Sequence, residues 1–112
     1  MTQYLILFNS DQDAQKIIGS ASPDEIKASM QLWMDWKNEA DKTISFEWGL
    51  PMKAVAHITS AEVSDGVNQA TGHAFIESDN QEKVTTVLKS HPHLRHQVTS
   101  IDLIELIPMA GM

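Results

Sequence analysis

The chain has 112 residues, no cysteine and a formal net charge of −7. That length holds one domain, whose folding buries about two-thirds of the unfolded surface around one modest core. The acidic balance, with lysines and arginines scattered singly, excludes a nucleic-acid partner, which needs a basic face; a cysteine-free chain has no disulfide framework and suits a reducing cytoplasm.

Tyr4-Leu5-Ile6-Leu7-Phe8 is continuously apolar. No basic residue precedes it and no small-residue cleavage site follows, so it reads as a strand rather than a signal peptide. Nor does any stretch approach the ~20 apolar residues of a membrane span. A strand apolar on both sides belongs in the middle of a sheet. Asn9 to Ser20 reads as a loop, with one helical turn around Ala14 to Ile18.

Ser22-Pro23-Asp24-Glu25 marks a helix start. Serine caps, proline takes the first helical position, and the glutamate three residues after the cap closes a capping box. Ile26, Met30, Trp33 and Met34 then recur at helical spacing, which predicts a helix from about Pro23 to Ala40 with those residues as its buried stripe.

Ile44 to Trp48 alternates like a short strand and ends at Gly49-Leu50-Pro51. Lys53 to Thr59 and Gly72 to Glu77 read as two further strands, paired antiparallel around a turn at Asp65-Gly66. Asp79 and Glu82 mark a second helix start, and Val84, Val87, Leu88 and His91 keep a period of three to four despite a β-branched run. Pro92 ends that helix. The last strand, Ile101 to Ile107, places Ile101, Leu103 and Ile107 on one face and Ile104 and Leu106 on the other.

These five strand candidates and two helices are read as an α+β fold of the ferredoxin-like βαββαβ type: a four-stranded antiparallel sheet with both helices on one face. The first and last strands remain apolar on the uncovered face. Exposure there costs about 1.5–3 kcal/mol for each large side chain relative to burial. A sheet-to-sheet homodimer, a dimeric α+β barrel, removes the exposure; in a monomer, loop 9–21 would have to fold over that face.

Several stretches, taken in order, resemble the YCII-related (DGPF-domain) family of small dimeric α+β proteins. They are Tyr4 to Phe8, Ser22 to Ile26, Gly49-Leu50-Pro51, Ser64-Asp65-Gly66, Gly72 to Glu77, His91-Pro92-His93-Leu94 and Ile104 to Pro108. The resemblance covers nearly the whole chain as one domain, 1–112. It implies a ferredoxin-like dimer with a pocket beside the sheet. Val67-Asn68 stand where the family's name-giving motif has Pro-Phe. The histidine–aspartate proton-transfer pair proposed for one branch has no counterpart: the first helix lacks histidine, and His91-Pro92 takes the Asp-Pro place.

Among candidate chemical residues, His73 follows Gly72, which permits close approach to the backbone, and Asp65 sits beside the same strand. A histidine oriented by a carboxylate is a general acid/base arrangement; packing at an interface and an aspartate turn account for the same residues without chemistry. His57 joins them only in a register that places it opposite His73. Trp36, Trp48 and Phe75 are candidate apolar lining, with core filling as the competing role. His91-Pro92-His93-Leu94-Arg95-His96 has the look of a metal tract, but Arg95 repels a cation and a helix C-terminus favours histidine without any metal. No phosphate loop, nucleophile elbow or zinc motif is present, so no cofactor or metal is assigned. Three functions follow: binding of a small, mostly apolar molecule in a cleft beside the sheet; cofactor-independent proton transfer, of isomerase or lyase type, by His73 with Asp65; or protein–protein interaction.

Overall fold

In the computed structural model, which describes residues 1–11, 16, 20–95 and 99–109, the first apolar run is the middle of the sheet. Strand β1 (Thr2–Ser10) lies between β5 (Ala70–Ser78) and β6 (Thr99–Leu106), and β2 (Ser45–Pro51) pairs with the outer side of β5. The order β2-β5-β1-β6 is antiparallel throughout. It is compatible with the ferredoxin-like arrangement.

Helix α1 (Pro23–Ala40) starts where the capping signal places it. The Glu25 amide donates to Ser22 Oγ at 3.2 Å, and the Ser22 amide donates to Glu25 Oε1 at 3.4 Å. Helix α2 (Gln81–Leu88) is capped by Asn80 rather than Asp79. The Asn80 side chain accepts from the amides of Glu82 and Lys83. No helix among the described residues is long and apolar enough to cross a membrane.

The core lies between the helices and one face of the sheet. Tyr4, Ile6 and Phe8 from β1, Phe46 from β2, and Ala74 and Ile76 from β5 meet Trp36 and Ala40 of α1 and Val84 and Leu88 of α2. The inward face of α1 differs from the expected stripe: Trp36 and Ala40 are buried and Trp33 half-buried, while Ile26, Met30 and Met34 are exposed. The helix is buried through its C-terminal half, and its N-terminal half has no exposed-to-core alternation to follow.

The opposite sheet face has no cover within the described chain. Register places Phe75, Leu5 and Ile104 in one row, and Glu77, Gln3 and Leu106 in the next. Phe75, Ile104 and Leu106 are each more than a third exposed. Loop 9–21, the alternative cover, lies mostly outside the described residues, although Asn9 and Ser10 belong to β1.

The middle of the chain departs most from expectation. Residues 53–59 do not pair with 72–77; β2 takes that place, with Phe46 opposite Ile76 and Trp48 opposite Ala74. Instead β3 (Ala56–Ile58) and β4 (Val63–Asp65) form a separate two-stranded hairpin. Its turn is at Thr59 to Glu62, where the Thr59 amide donates to the Glu62 carbonyl at 2.9 Å. Asp65-Gly66 is the end of β4 and not the turn. A Cβ on Gly66 would lie 2.5 Å from the Ala56 nitrogen, so glycine there lets the chain pass close against the backbone of Ala54 to Ala56.

The chain spreads its surface. Its 12.5 kDa exposes 8313 Å², where a folded monomer of that mass exposes about 6,200 Å². Its Cα radius of gyration is 15.8 Å, against about 13 Å for a compact domain of this length.

Candidate functional site

The ends of β1, β2 and β5 meet α1 around an aromatic nest. Phe8, at the end of β1, packs 5.0 Å from Trp33 of α1, and Trp33 stacks on Trp48 of β2 at 5.3 Å and 26°. Phe46 meets Trp48 edge-on at 4.7 Å. Three aromatic residues distant in sequence are thus brought together by the sheet register and one turn of helix.

A bulge in β2 opens the nest. Trp48 faces Ala74 and Pro51 faces Gly72, so Gly49 and Leu50 together oppose His73 alone. Pro51 is tolerated because β2 is an edge strand. Gly49 is required: a Cβ there would lie 2.3 Å from His73 Cδ2. Bulges bend the strand and re-aim side chains. The result is a cavity of about 500 Å³ lined by Phe8, Trp33, Trp48, Leu50, Pro51 and the two histidines His73 and His93, with Gly49, Thr71 and Gly72 completing it. Among the described residues, no Asp, Glu, Lys or Arg lines it. At Gly72 a Cβ would meet Phe8 Cδ2 at 3.6 Å, an ordinary contact, so the bare backbone there adds space without relieving a clash.

The segment after α2 supplies the remaining wall. A single 3-10 turn, Pro92–Arg95, carries His93 inward, and its ring Nε2 donates to the Asn9 carbonyl at 2.8 Å. His91 is 2% exposed. Its Nδ1 accepts from the His93 amide at 3.0 Å, so the proton of the neutral ring sits on Nε2. That Nε2 is buried without a hydrogen-bond partner among the described residues. Around the ring stand Trp36 at 4.3 Å, Trp33 at 4.5 Å and Phe8 at 4.9 Å. Aromatic faces are the surroundings left to the N–H. Burial lowers the His91 pKa from its ordinary 6.5 to about 3, with repulsion from His93 adding to the effect. His91 is therefore a neutral prop behind the cavity.

These contacts assign the histidine tract. His91 and His93 each commit a ring nitrogen to the backbone within the fold, and His96 lies outside the described residues. Among the described residues, no three His, Cys, Asp or Glu side chains are grouped to hold a metal ion.

Of the residues expected at a site, His73 and Trp48 line the cavity together. Asp65 does not join them. The hydrogen bond of the His73 ring is a long one, 3.5 Å from the Leu50 amide, and its ring neighbour is Phe75 at 5.5 Å, edge-on. Asp65 sits in the hairpin opposite Ala56, and His57 sits there opposite Ser64, so neither reaches His73 by strand pairing. Trp36 is a correction: it is core. Its indole N–H donates to Ser90 Oγ at 3.2 Å and to the Val87 carbonyl at 3.3 Å, and Phe46 packs edge-on against it at 5.0 Å. It is buried because α1 turns its 33–36–40 edge to the sheet. Phe75 lies on the open sheet face, in the row with Leu5 and Ile104. Phe8, Trp33, Leu50 and His93 are lining residues that sequence reasoning passed over; Trp33 and Phe8 looked like ordinary core, and His93 was visible only as part of the tract.

No family model matches this chain, and no curated protein matches it.

Proposed function

We propose that the chain works as a homodimer that binds a small, uncharged, mostly apolar molecule in the cavity at the ends of β1, β2 and β5. The observation that carries the ligand is the lining: stacked Trp33 and Trp48 with Phe8, Leu50 and Pro51 and, among the described residues, no Asp, Glu, Lys or Arg. A wall without fixed charge offers nothing to offset the desolvation of an ionised ligand. Indole faces suit flat rings. A volume of about 500 Å³ falls within the ~300–1,000 Å³ of small-molecule sites, which orient their ligands with a few polar groups. His73 and His93 are such groups here.

Two features support the dimer. The open sheet face carries Leu5, Phe75, Ile104 and Leu106 in register, and the chain exposes about 2,100 Å² more than a monomer of its mass. The motifs that resemble the YCII-related family agree with a dimer of this kind and with a pocket beside the sheet. Proton transfer is a second reading, favoured by His73 in the cavity wall; it would need an acid/base partner other than Asp65 in the same chain.

The test is melting of the full chain against a panel of flat, neutral ring compounds and their carboxylate and ammonium counterparts. A neutral ligand at a hundredfold excess over its Kd stabilises the fold by about 2.7 kcal/mol, a rise on the order of 10 °C. The same ligand should change the emission of Trp33 and Trp48 and lose its effect in Trp48→Ala. If no compound raises the melting temperature, the cavity is not a binding site, and the open face is left to protein–protein interaction.

A further inference from the structure

Among the described residues, the most exposed large apolar side chains lie near the chain ends, at Met1, Ile107 and Met109, or at the end of β2 and in the hairpin that follows it. Leu50, Val55, Ile58, Val63 and Val67 are each 70% exposed or more, whereas Phe75, Ile104 and Leu106 on the open sheet face are near 40%. Four of the five belong to the hairpin segment 52–69. This segment leaves the end of β2 at Pro51 and returns to the start of β5 at Ala70, so it projects beyond the strand ends. It is nonetheless well formed. Ile58 faces Val63 across the pair, Thr59 Oγ1 accepts from the amides of Ala61 and Glu62, Ser64 Oγ donates to the His57 carbonyl, and Gly66 allows the close pass against Ala54 to Ala56.

A lone two-stranded hairpin is marginal in water, and a bare one invites edge pairing. Ordered β-branched residues that the described chain leaves 70% exposed or more imply cover from elsewhere. We propose that the β3–β4 hairpin is an arm that packs on a second copy of this chain, with the Ile58–Val63 pair as its contact. The area fits. A standard interface needs ~800 Å² from each partner, and the chain's excess surface is about 2,100 Å². The sheet face and the arm together belong to an interface of the larger, obligate kind. Both surfaces are on one chain, so a two-fold pair satisfies each at once. The arm also springs from the cavity: Leu50 and Pro51 precede it, and Thr71 and Gly72 follow it. A partner holding the arm therefore fixes the mouth of the ligand site. This inference rests on the proposed dimer and adds the arm to it.

Sedimentation of the full-length protein at micromolar concentration, beside Ile58→Asp and Val63→Asp, tests the arm. Both positions are exposed in the single chain, so the variants should keep the far-ultraviolet spectrum of the parent. The expected result is a dimeric parent and variants whose dimer dissociation constant rises about a hundredfold, the loss of a contact hot spot. A dimeric parent with equally dimeric variants overturns the arm and leaves the sheet-face dimer standing. A monomeric parent overturns both. The cysteine-free background gives a second measurement: Ile58→Cys should resist maleimide at concentrations where the protein is dimeric and react on dilution. Equal reactivity at both concentrations overturns the arm even if the charged variants fail to fold.

Discussion

His91 should make the fold acid-sensitive in a way that a single substitution isolates. The ring is 2% exposed and held neutral, with a folded pKa of about 3 against an ordinary 6.5 in the unfolded chain. Between those values the unfolded chain binds the proton and the folded one does not. Stability is therefore full above pH 6.5 and falls as the pH drops, with the loss complete once the folded ring itself titrates near 3. The slope through this window is about 1.4 kcal/mol per pH unit, so the loss by pH 5 is about 2 kcal/mol. That is a large part of the ~5–15 kcal/mol of a domain's total stability. Carboxylates also respond to acid, so the comparison needs His91→Asn, whose Oδ1 can still accept from the His93 amide but which cannot titrate. Urea unfolding followed by tryptophan emission from pH 8 to 4 gives the stability at each pH. The variant should start lower, because the smaller side chain leaves a void beneath Trp33 and Trp36, yet its stability should fall less steeply below pH 6.5. Parallel pH profiles for the two proteins would refute the buried neutral imidazole.

Gly49→Ala should destabilise the fold by about 1–3 kcal/mol, because its methyl group collides with the His73 ring. His73→Ala in the same chain should restore only the part of the loss due to the ring, since the added Cβ would also lie 2.5 Å from the His73 carbonyl oxygen, and a double-mutant cycle with no coupling would sink the ring collision. Gly72→Ala, whose added carbon meets Phe8 at an ordinary distance, should leave the melting temperature unchanged or raised while weakening any ligand found by the panel. A variant that melts well below the parent would contradict the open space at that position. Ser22→Ala removes the cap of α1 and should cost about 1 kcal/mol by chemical denaturation; a neutral result would mean that the exposed N-terminal half of the helix contributes little to the fold.

Local chemistry wrote itself plainly into the chain. The limits of α1 follow from a proline, a capping box and apolar spacing, each acting within a turn or two of helix. The central place of β1 follows from five consecutive apolar residues. The two-face split of β6 was legible for four of the five apolar residues: Ile101 and Leu103 lie opposite Phe8 and Ile6, and Ile104 and Leu106 lie opposite Leu5 and Gln3, while Ile107 falls past the end of the strand and is exposed. Asp65-Gly66 misled because its composition is that of a turn, while its actual role is a close backbone approach that also demands glycine. Likewise, Lys53 to Thr59 has the composition of a sheet strand, but β2 holds the place beside β5, paired with it from Ser45 to Trp48.

Sequence by itself determined the limits of α1, the presence of a second helix, the buried core of β1 and the acidic balance of the chain, because each depends on spacing or composition. Only tertiary structure decided which edge of α1 faces inward, that Trp36 is core while Trp33 and Trp48 form a wall, and that His73 enters the cavity without Asp65. Those outcomes turn on register and on one bulge, where a shift of a single residue moves a side chain to the other face of the sheet. The bond from His93 Nε2 to the Asn9 carbonyl is of the same kind: it joins residues distant along the chain, through geometry that no local pattern encodes.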